Sequence, residues 1–158
     1  MDRLLARIER WLLPLLAGLL AFITVGVFVQ VVLRYAFATS FLWGEELSLF
    51  AFIWCIFLGA AICVRRRQHF AFDLPPDFLG PRAARIQRLL IDLLVLAAAL
   101  LLLIEGWTFS QLSIQRLSPA LGITLLIPTL VIPLSGAFMV LILVVDLARD
   151  LRDIWTAE

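Results

Sequence analysis

The chain has 158 residues, of which 63% are hydrophobic and 16% are charged, and its mean hydropathy is +1.05. Soluble domains average about 45–50% apolar and about 25% charged residues. A soluble chain of this length cannot bury so much apolar surface, which excludes a soluble globular enzyme, a disordered chain and a secreted disulfide scaffold. The composition indicates an integral membrane protein, and a net charge of +1 gives no reason to expect a nucleic-acid partner.

Four stretches of low charge predict four transmembrane helices, at residues 11–34, 45–66, 86–111 and 124–147. Each is near the length of about 20 residues that crosses a bilayer. The first is longer than the core of a signal peptide, which is about 7–15 residues, so we expect it to be retained. We therefore predict an all-α, polytopic membrane protein with a single domain over residues 1–158. A short amphipathic segment before the first span is expected at the membrane interface.

The arginines predict how the helices are oriented, because cytoplasmic segments are enriched in positive charge. Eleven of the 13 basic residues lie at the two termini or between the second and third spans. The two remaining connections carry one arginine each, Arg34 and Arg116. We therefore predict that both termini are cytoplasmic and that the first and third connections face the periplasm.

A few polar side chains lie within or beside the apolar spans. Gln30 and Arg34 are four residues apart, so both lie on one helix face. We expect Gln30 to hydrogen-bond to another helix, with a role in transport as the alternative. Glu105 in the third span would pair with Arg34, with Arg116 or with a group on another protein, and the alternative is proton or ion handling.

Small residues recur every four positions along the second span, at Ala51, Cys55, Gly59 and Cys63. This spacing lets another helix approach closely, so we predict that the stripe packs against a partner. The two cysteines are about 12 Å apart along a helix, too far for a disulfide. We interpret them as packing residues and not as redox groups.

Charged motifs flank the second span. Trp43, Glu45 and Glu46 begin it, and there they either suit the interface and the helix dipole or dock a basic partner. Arg65, His69 and Asp73 follow it at spacings of four and share one face if the helix continues. The third span is preceded by three arginines that suit anionic lipid headgroups, Arg82, Arg85 and Arg88.

The chain contains no phosphate-binding loop, no metal-ligand cluster and no nucleophile–base set. A single histidine excludes a haem with two histidine ligands. We therefore predict no catalytic, substrate-binding or metal site, and expect an accessory membrane subunit whose chemistry is packing.

Four motifs occur in a distinctive order and spacing: Gln30-x3-Arg34-Tyr35, Trp43-x-Glu45-Glu46-Leu47, Phe57-Leu58-Gly59-Ala60-Ala61 and Arg65-x3-His69-x3-Asp73. Together they resemble the small membrane subunit, of the DctQ type, of tripartite ATP-independent periplasmic (TRAP) transporters. The four-span layout and Pro133-x-Ser135-Gly136 in the last span extend the resemblance along most of the chain.

The resemblance implies a bacterial inner-membrane scaffold that braces a large DctM-type subunit of the elevator kind. The large subunit would carry the substrate and sodium sites, so no cofactor is expected in this chain. A periplasmic binding protein would deliver a solute, often a carboxylate. The implied large-subunit contacts are Gln30 and the Ala51, Cys55, Gly59 and Cys63 stripe. The implied periplasmic docking residues are Arg34, Trp43, Glu45 and Glu46.

Three other functions compete with this interpretation. A self-sufficient small four-helix transporter would need a membrane-embedded acid in the first span, and residues 11–33 carry none. An accessory subunit of another membrane complex would share the same composition. A membrane redox enzyme is disfavoured by the single histidine and the separated cysteines.

Overall fold

The computed structural model describes residues 2–39, 41–66 and 81–155, in which every regular element is helical. The helices are α1 (Asp2–Phe37), α2 (Leu42–Arg65), α3 (Pro81–Leu112), the short turn α4 (Leu126–Thr129) and α5 (Val131–Trp155). Four segments are long and apolar enough to cross a membrane: Arg7–Phe37, Leu42–Arg65, Leu89–Leu112 and Leu126–Leu147. The predicted all-α architecture with four transmembrane helices is confirmed.

Proline residues shape the helix boundaries. Pro81 is the first residue of α3, where its missing N–H costs nothing. α1 runs through Pro14 without a break, so the predicted amphipathic segment and the first span form one helix. Pro133 cannot donate to the carbonyl of Thr129, and the Ser110 hydroxyl donates to that oxygen instead, at 3.1 Å. A side chain of α3 thus compensates for the proline in α5.

The tightest packing lies between α3 and α5. A Cβ on Gly136 would lie 2.7 Å from the backbone nitrogen of Leu103, and one on Gly106 would lie 3.1 Å from that of Pro133. The two glycines therefore let the helix backbones approach closely. The buried core continues from this crossing into α2 and consists of Ala61, Val64, Ala99, Met139, Ile142 and Leu143.

α1 stands at the side of the bundle. It packs against α2, while α2 and α3 both pack against α5. No residue of α1 whose side chain the structure describes is buried within the chain. Large apolar side chains such as Trp11, Val25 and Phe28 are 74%, 62% and 67% exposed. This surface requires lipid or another protein to cover it.

Up-and-down helices give the bundle two ends. The end we call the loop end holds the connection at residues 38–41 and the longer one at 113–125. The opposite end, the termini end, holds the start of α1 and the end of α2. The arginine distribution predicts that the loop end faces the periplasm.

Candidate functional site

Two polar side chains of α1 reach α2 near the loop end. The Gln30 amide donates a hydrogen bond to the Ser48 hydroxyl at 3.0 Å, and Arg34 forms an ion pair with Glu45. Gln30 and Arg34 therefore lie on one face of α1, as their spacing predicts. That face is turned toward α2. The predicted hydrogen bond between helices is confirmed, and it lies within this chain. Contact of Gln30 with a large subunit stays a prediction.

The acid that Arg34 contacts is Glu45, and the ion pair between them is open to solvent. Its side chain is 59% exposed and that of Glu45 is 40% exposed, so solvent screening keeps the stabilisation modest. The expectation that Glu105 pairs with Arg34 is wrong, because Glu45 at the start of α2 is the nearer acid. Glu105 is exposed, and it has neither an ion pair nor a hydrogen bond among the residues that the structure describes.

Glu46 connects α2 to the long connection at the loop end. Its carboxylate accepts hydrogen bonds from the backbone N–H groups of Ala120 at 3.1 Å and Leu121 at 3.0 Å. The connection is folded tightly there, since the N–H of Ser118 donates to the carbonyl of Ile123 at 2.8 Å. Sequence reasoning missed this contact, because nothing in the local pattern around Glu46 points to residues more than seventy positions away.

Two tryptophans of α2 make contacts beyond their own turn, Trp43 at the loop end and Trp54 near the middle of the helix. The Trp54 indole donates to the carbonyl of Ile127 in α4 at 3.2 Å. Trp43 is 49% exposed, and its ring packs on Phe41 with a centroid separation of 4.0 Å. A Cβ on Gly44 would collide with the Phe41 ring, so glycine is needed beside this aromatic pair. Docking of a periplasmic partner by Trp43, Glu45 or Glu46 stays a prediction.

The termini end is held by an ion-pair cluster. Glu9 of α1 accepts from Arg65 at 2.6 Å and from Arg66 at 2.8 Å. The side chains of Glu9 and Arg65 are only 19% and 18% exposed. Sequence analysis named Arg65 as part of a cytoplasmic motif but did not foresee Glu9 as its partner. The pairing is visible only once α1 and α2 are placed side by side.

The small-residue stripe of α2 points partly away from the rest of the chain. Ala51 is buried, while Cys55, Gly59 and Cys63 are only partly buried. No atom lies within 4 Å of a Cβ built on Gly59. Both cysteines are free thiols. The stripe at Gly59 is therefore open to a helix of another protein, and its role there stays a prediction.

The remaining motif residues are only partly described. α2 ends at Arg65, and His69 and Asp73 lie outside the described residues. The arginines at 82, 85 and 88 lie in the first turns of α3, and their contact with lipid headgroups stays a prediction. Within the described ranges no group of three His, Cys, Asp or Glu residues could hold a metal ion.

An apolar groove of about 460 Å³ lies between α1 and α2 near the loop end. Phe22, Val25 and Leu47 contribute to its walls, and Gln30 and Ser48 also line it. Those two polar groups bond to each other, so the groove offers a ligand little polar chemistry. The arrangement as a whole holds helices together and presents apolar surface, and it has no reactive set of side chains among the described residues.

Comparison with known proteins identifies relatives along most of the chain. The family described as "Tripartite ATP-independent periplasmic transporters, DctQ component" matches residues 23–153. That range includes the α1–α2 polar contacts at the loop end, the long connection there and the α3–α5 glycine crossing, but not Glu9.

Three curated relatives illustrate the match. A putative TRAP transporter small permease protein of Haemophilus influenzae is 31% identical over 67% of this chain and 66% of its own length. The sialic acid TRAP transporter small permease protein SiaQ of Vibrio cholerae is 30% identical over 80% of this chain and 71% of its own. The isethionate TRAP transporter permease protein DctMQ of Oleidesulfovibrio alaskensis is 34% identical over 87% of this chain, but this is 23% of that longer protein.

Proposed function

Because the chain belongs to the DctQ-component family of tripartite ATP-independent periplasmic transporters, we propose that it is the scaffold subunit that braces the large membrane subunit. It is a multi-pass membrane component of a transporter and not an enzyme. The bracing role goes beyond membership of the family and rests on how the helices are held.

The observation that carries the proposal is that α2 is fixed at both ends. At the termini end Glu9 ties it to α1. At the loop end Arg34 ties α1 to Glu45, and Glu46 ties α2 to Leu121. Helices joined at both ends resist sliding and tilting, which is what a static support needs. The lateral faces between these ties remain apolar and exposed.

A larger permease as partner is supported by the relatives. The match to the permease protein DctMQ covers less than a quarter of that protein. A sialic acid TRAP transporter permease protein, SiaT of Haemophilus influenzae, matches this chain over only 16% of its length. We propose that this chain contacts a separate large subunit. In the longer relatives, the rest of the same polypeptide would cover the surfaces that this contact uses.

The remaining parts of the proposal come from the family resemblance. A periplasmic binding protein delivers the solute, the inner membrane holds the complex, and an ion gradient drives uptake through the large subunit. The relatives are named for C4-dicarboxylate, sialic acid and isethionate, which all carry an acidic group. This supports an anionic solute, with a carboxylate as the first choice.

The test is co-purification. The tagged chain is expressed together with the large TRAP subunit of the same genome, extracted in mild detergent and captured through the tag. We expect the two subunits to elute as one species in a fixed ratio. A chain that elutes alone, while the large subunit stays in the flow-through, would refute the bracing role.

A further inference from the structure

One face of α3 carries a regular stripe of exposed residues along the whole span. Its members are Leu90, Leu94, Ala97, Leu101, Glu105, Thr108 and Leu112, and all are exposed. At about 100° per residue they fall within an arc of about 80°, at spacings of three or four residues. We call this stripe the α3 outer face. The opposite face, with Ala99, Gly106 and Ser110, is buried within the chain.

Spacings of three and four are those by which one helix packs its side chains into another. Leu94, Leu101 and Leu112 are 69%, 62% and 63% exposed, so none of the helices that the structure describes covers them. Apolar residues alone would be equally well covered by lipid. Glu105 is the residue that favours a protein helix over lipid as the cover of this face.

Glu105 is the one carboxylate without a partner among the residues whose side chains the structure describes. Glu9, Glu45 and Glu46 form the contacts given above, and Asp92 and Asp146 also have partners. Glu105 lies seven residues before the end of α3 at Leu112, which places it about 10 Å inside the apolar span. An unpaired carboxylate in an apolar span is costly, so a neighbouring helix that supplies a positive charge or a hydrogen-bond donor would stabilise it.

We propose that the α3 outer face is the docking surface for a transmembrane helix of the large subunit, which presents an arginine, lysine or other hydrogen-bond donor to Glu105. The inference rests on the proposed function, because it names the partner's chemistry at one surface. Thr108, one turn further on, supplies a second polar group at the same face.

Two other occupants fit less well. A second copy of this chain, related by an axis along the membrane normal, would bring two Glu105 carboxylates to the same depth with like charge. The segment from Leu89 to Leu112 contains no basic residue that a copy could offer instead. Lipid is disfavoured because its acyl chains cannot hydrogen-bond to a carboxylate within the span.

The test compares variants in the co-purification experiment above. Glu105→Leu should lower the yield of large subunit per captured chain about tenfold, because the partner's donor is left buried without an acceptor. Glu105→Gln keeps an acceptor but loses the charge, so its yield should fall between that of Glu105→Leu and the unaltered chain. Glu105→Leu removes a charge from lipid, so the variant should insert and fold at least as well as the unaltered chain. Its helix content by circular dichroism checks this.

Thr24→Leu is the matched control, since it removes an exposed polar group from α1, whose hydroxyl bonds only to its own helix at Leu20. Its yield of large subunit should equal that of the unaltered chain. If the unaltered chain captures the large subunit and Glu105→Leu captures as much, the inference is overturned while the bracing role stands. An equal loss in Thr24→Leu would also overturn it. If the unaltered chain captures nothing, the proposed function itself fails.

Discussion

The carboxylate of Glu46 lies 3.0 Å from the backbone nitrogen of Leu121 and accepts its hydrogen bond across 75 positions of sequence. The neighbouring N–H of Ala120 donates to the same oxygen at 3.1 Å. One side chain of α2 thus fixes the connection between α3 and α4. Since α3 packs on α5, this contact links the second helix to the whole second half of the bundle.

Removal of this carboxylate should loosen the loop end. Glu46→Ala leaves the exposed Ala120 N–H without its protein acceptor, while the Leu121 N–H keeps the Ser118 hydroxyl at 3.1 Å, so we expect a loss of about 1 kcal/mol in stability. The connection at 113–125 should also become easier to cleave by added protease. Thermal unfolding in detergent and limited proteolysis measure the two effects. Glu45→Ala is the control, since it breaks a more exposed ion pair and should leave the connection protected.

The glycine at position 136 should not tolerate a side chain. A Cβ there would lie 2.7 Å from the Leu103 backbone, which cannot rotate away, so Gly136→Ala must push α3 and α5 apart. We expect it to cost about 1–3 kcal/mol, as overpacking does, and to lower the unfolding temperature in detergent. Gly18→Ala is the matched control, because its Cβ would meet no atom within 4 Å. Since alanine favours a helix by about 1 kcal/mol over glycine, Gly18→Ala should be neutral or stabilising. Equal behaviour of the two variants would contradict the close crossing.

The two arginines that bond to Glu9 should contribute unequally. The Arg65 side chain is 18% exposed and that of Arg66 is 41% exposed, so solvent screens the second pair more. We expect Arg65→Gln to cost about 1–2 kcal/mol. Arg66→Gln should cost no more than about 1 kcal/mol, as surface pairs do. Chemical denaturation of both variants in the same detergent measures their free energies of unfolding. A larger loss of unfolding free energy for Arg66→Gln than for Arg65→Gln would show that the cluster is arranged differently.

The open stripe of α2 gives a prediction about assembly. Gly59→Leu places a bulky side chain where no atom of this chain lies nearby, so the fold of the isolated subunit should be unaffected. If a partner helix packs against Gly59, the yield of large subunit should fall, because close approach is blocked. Normal recovery of the complex from Gly59→Leu would refute the packing role of the stripe.

The sequence predicts the helices well because hydrophobic runs and charges depend on local composition. The four predicted spans coincide with four long apolar helices, and Pro81 begins α3 as its preference for the first helical turn indicates. The bond from Gln30 to another helix could also be predicted, because an amide within an apolar span requires a hydrogen-bond partner. These inferences use only neighbours in sequence and the cost of polar groups in lipid.

The pairing of helices could not be predicted in the same way. Nothing local distinguishes Gly136, which lies at a backbone crossing, from Gly59, which meets no atom. The sequence offered Arg34 as one of several partners for Glu105, whereas the position of α2 beside α1 pairs Arg34 with Glu45. The contacts of Glu9 and Glu46 likewise depend on which helices are neighbours, a long-range property that periodicity does not encode.

We propose that this chain supports a transporter and does not carry solute by itself. Uptake of radiolabelled solute into proteoliposomes, in the presence of the binding protein and an inward sodium gradient, tests it most directly. We expect no uptake above empty vesicles when this chain is reconstituted alone, and uptake when the large subunit is included. Solute accumulation by vesicles that contain only this chain would contradict the claim.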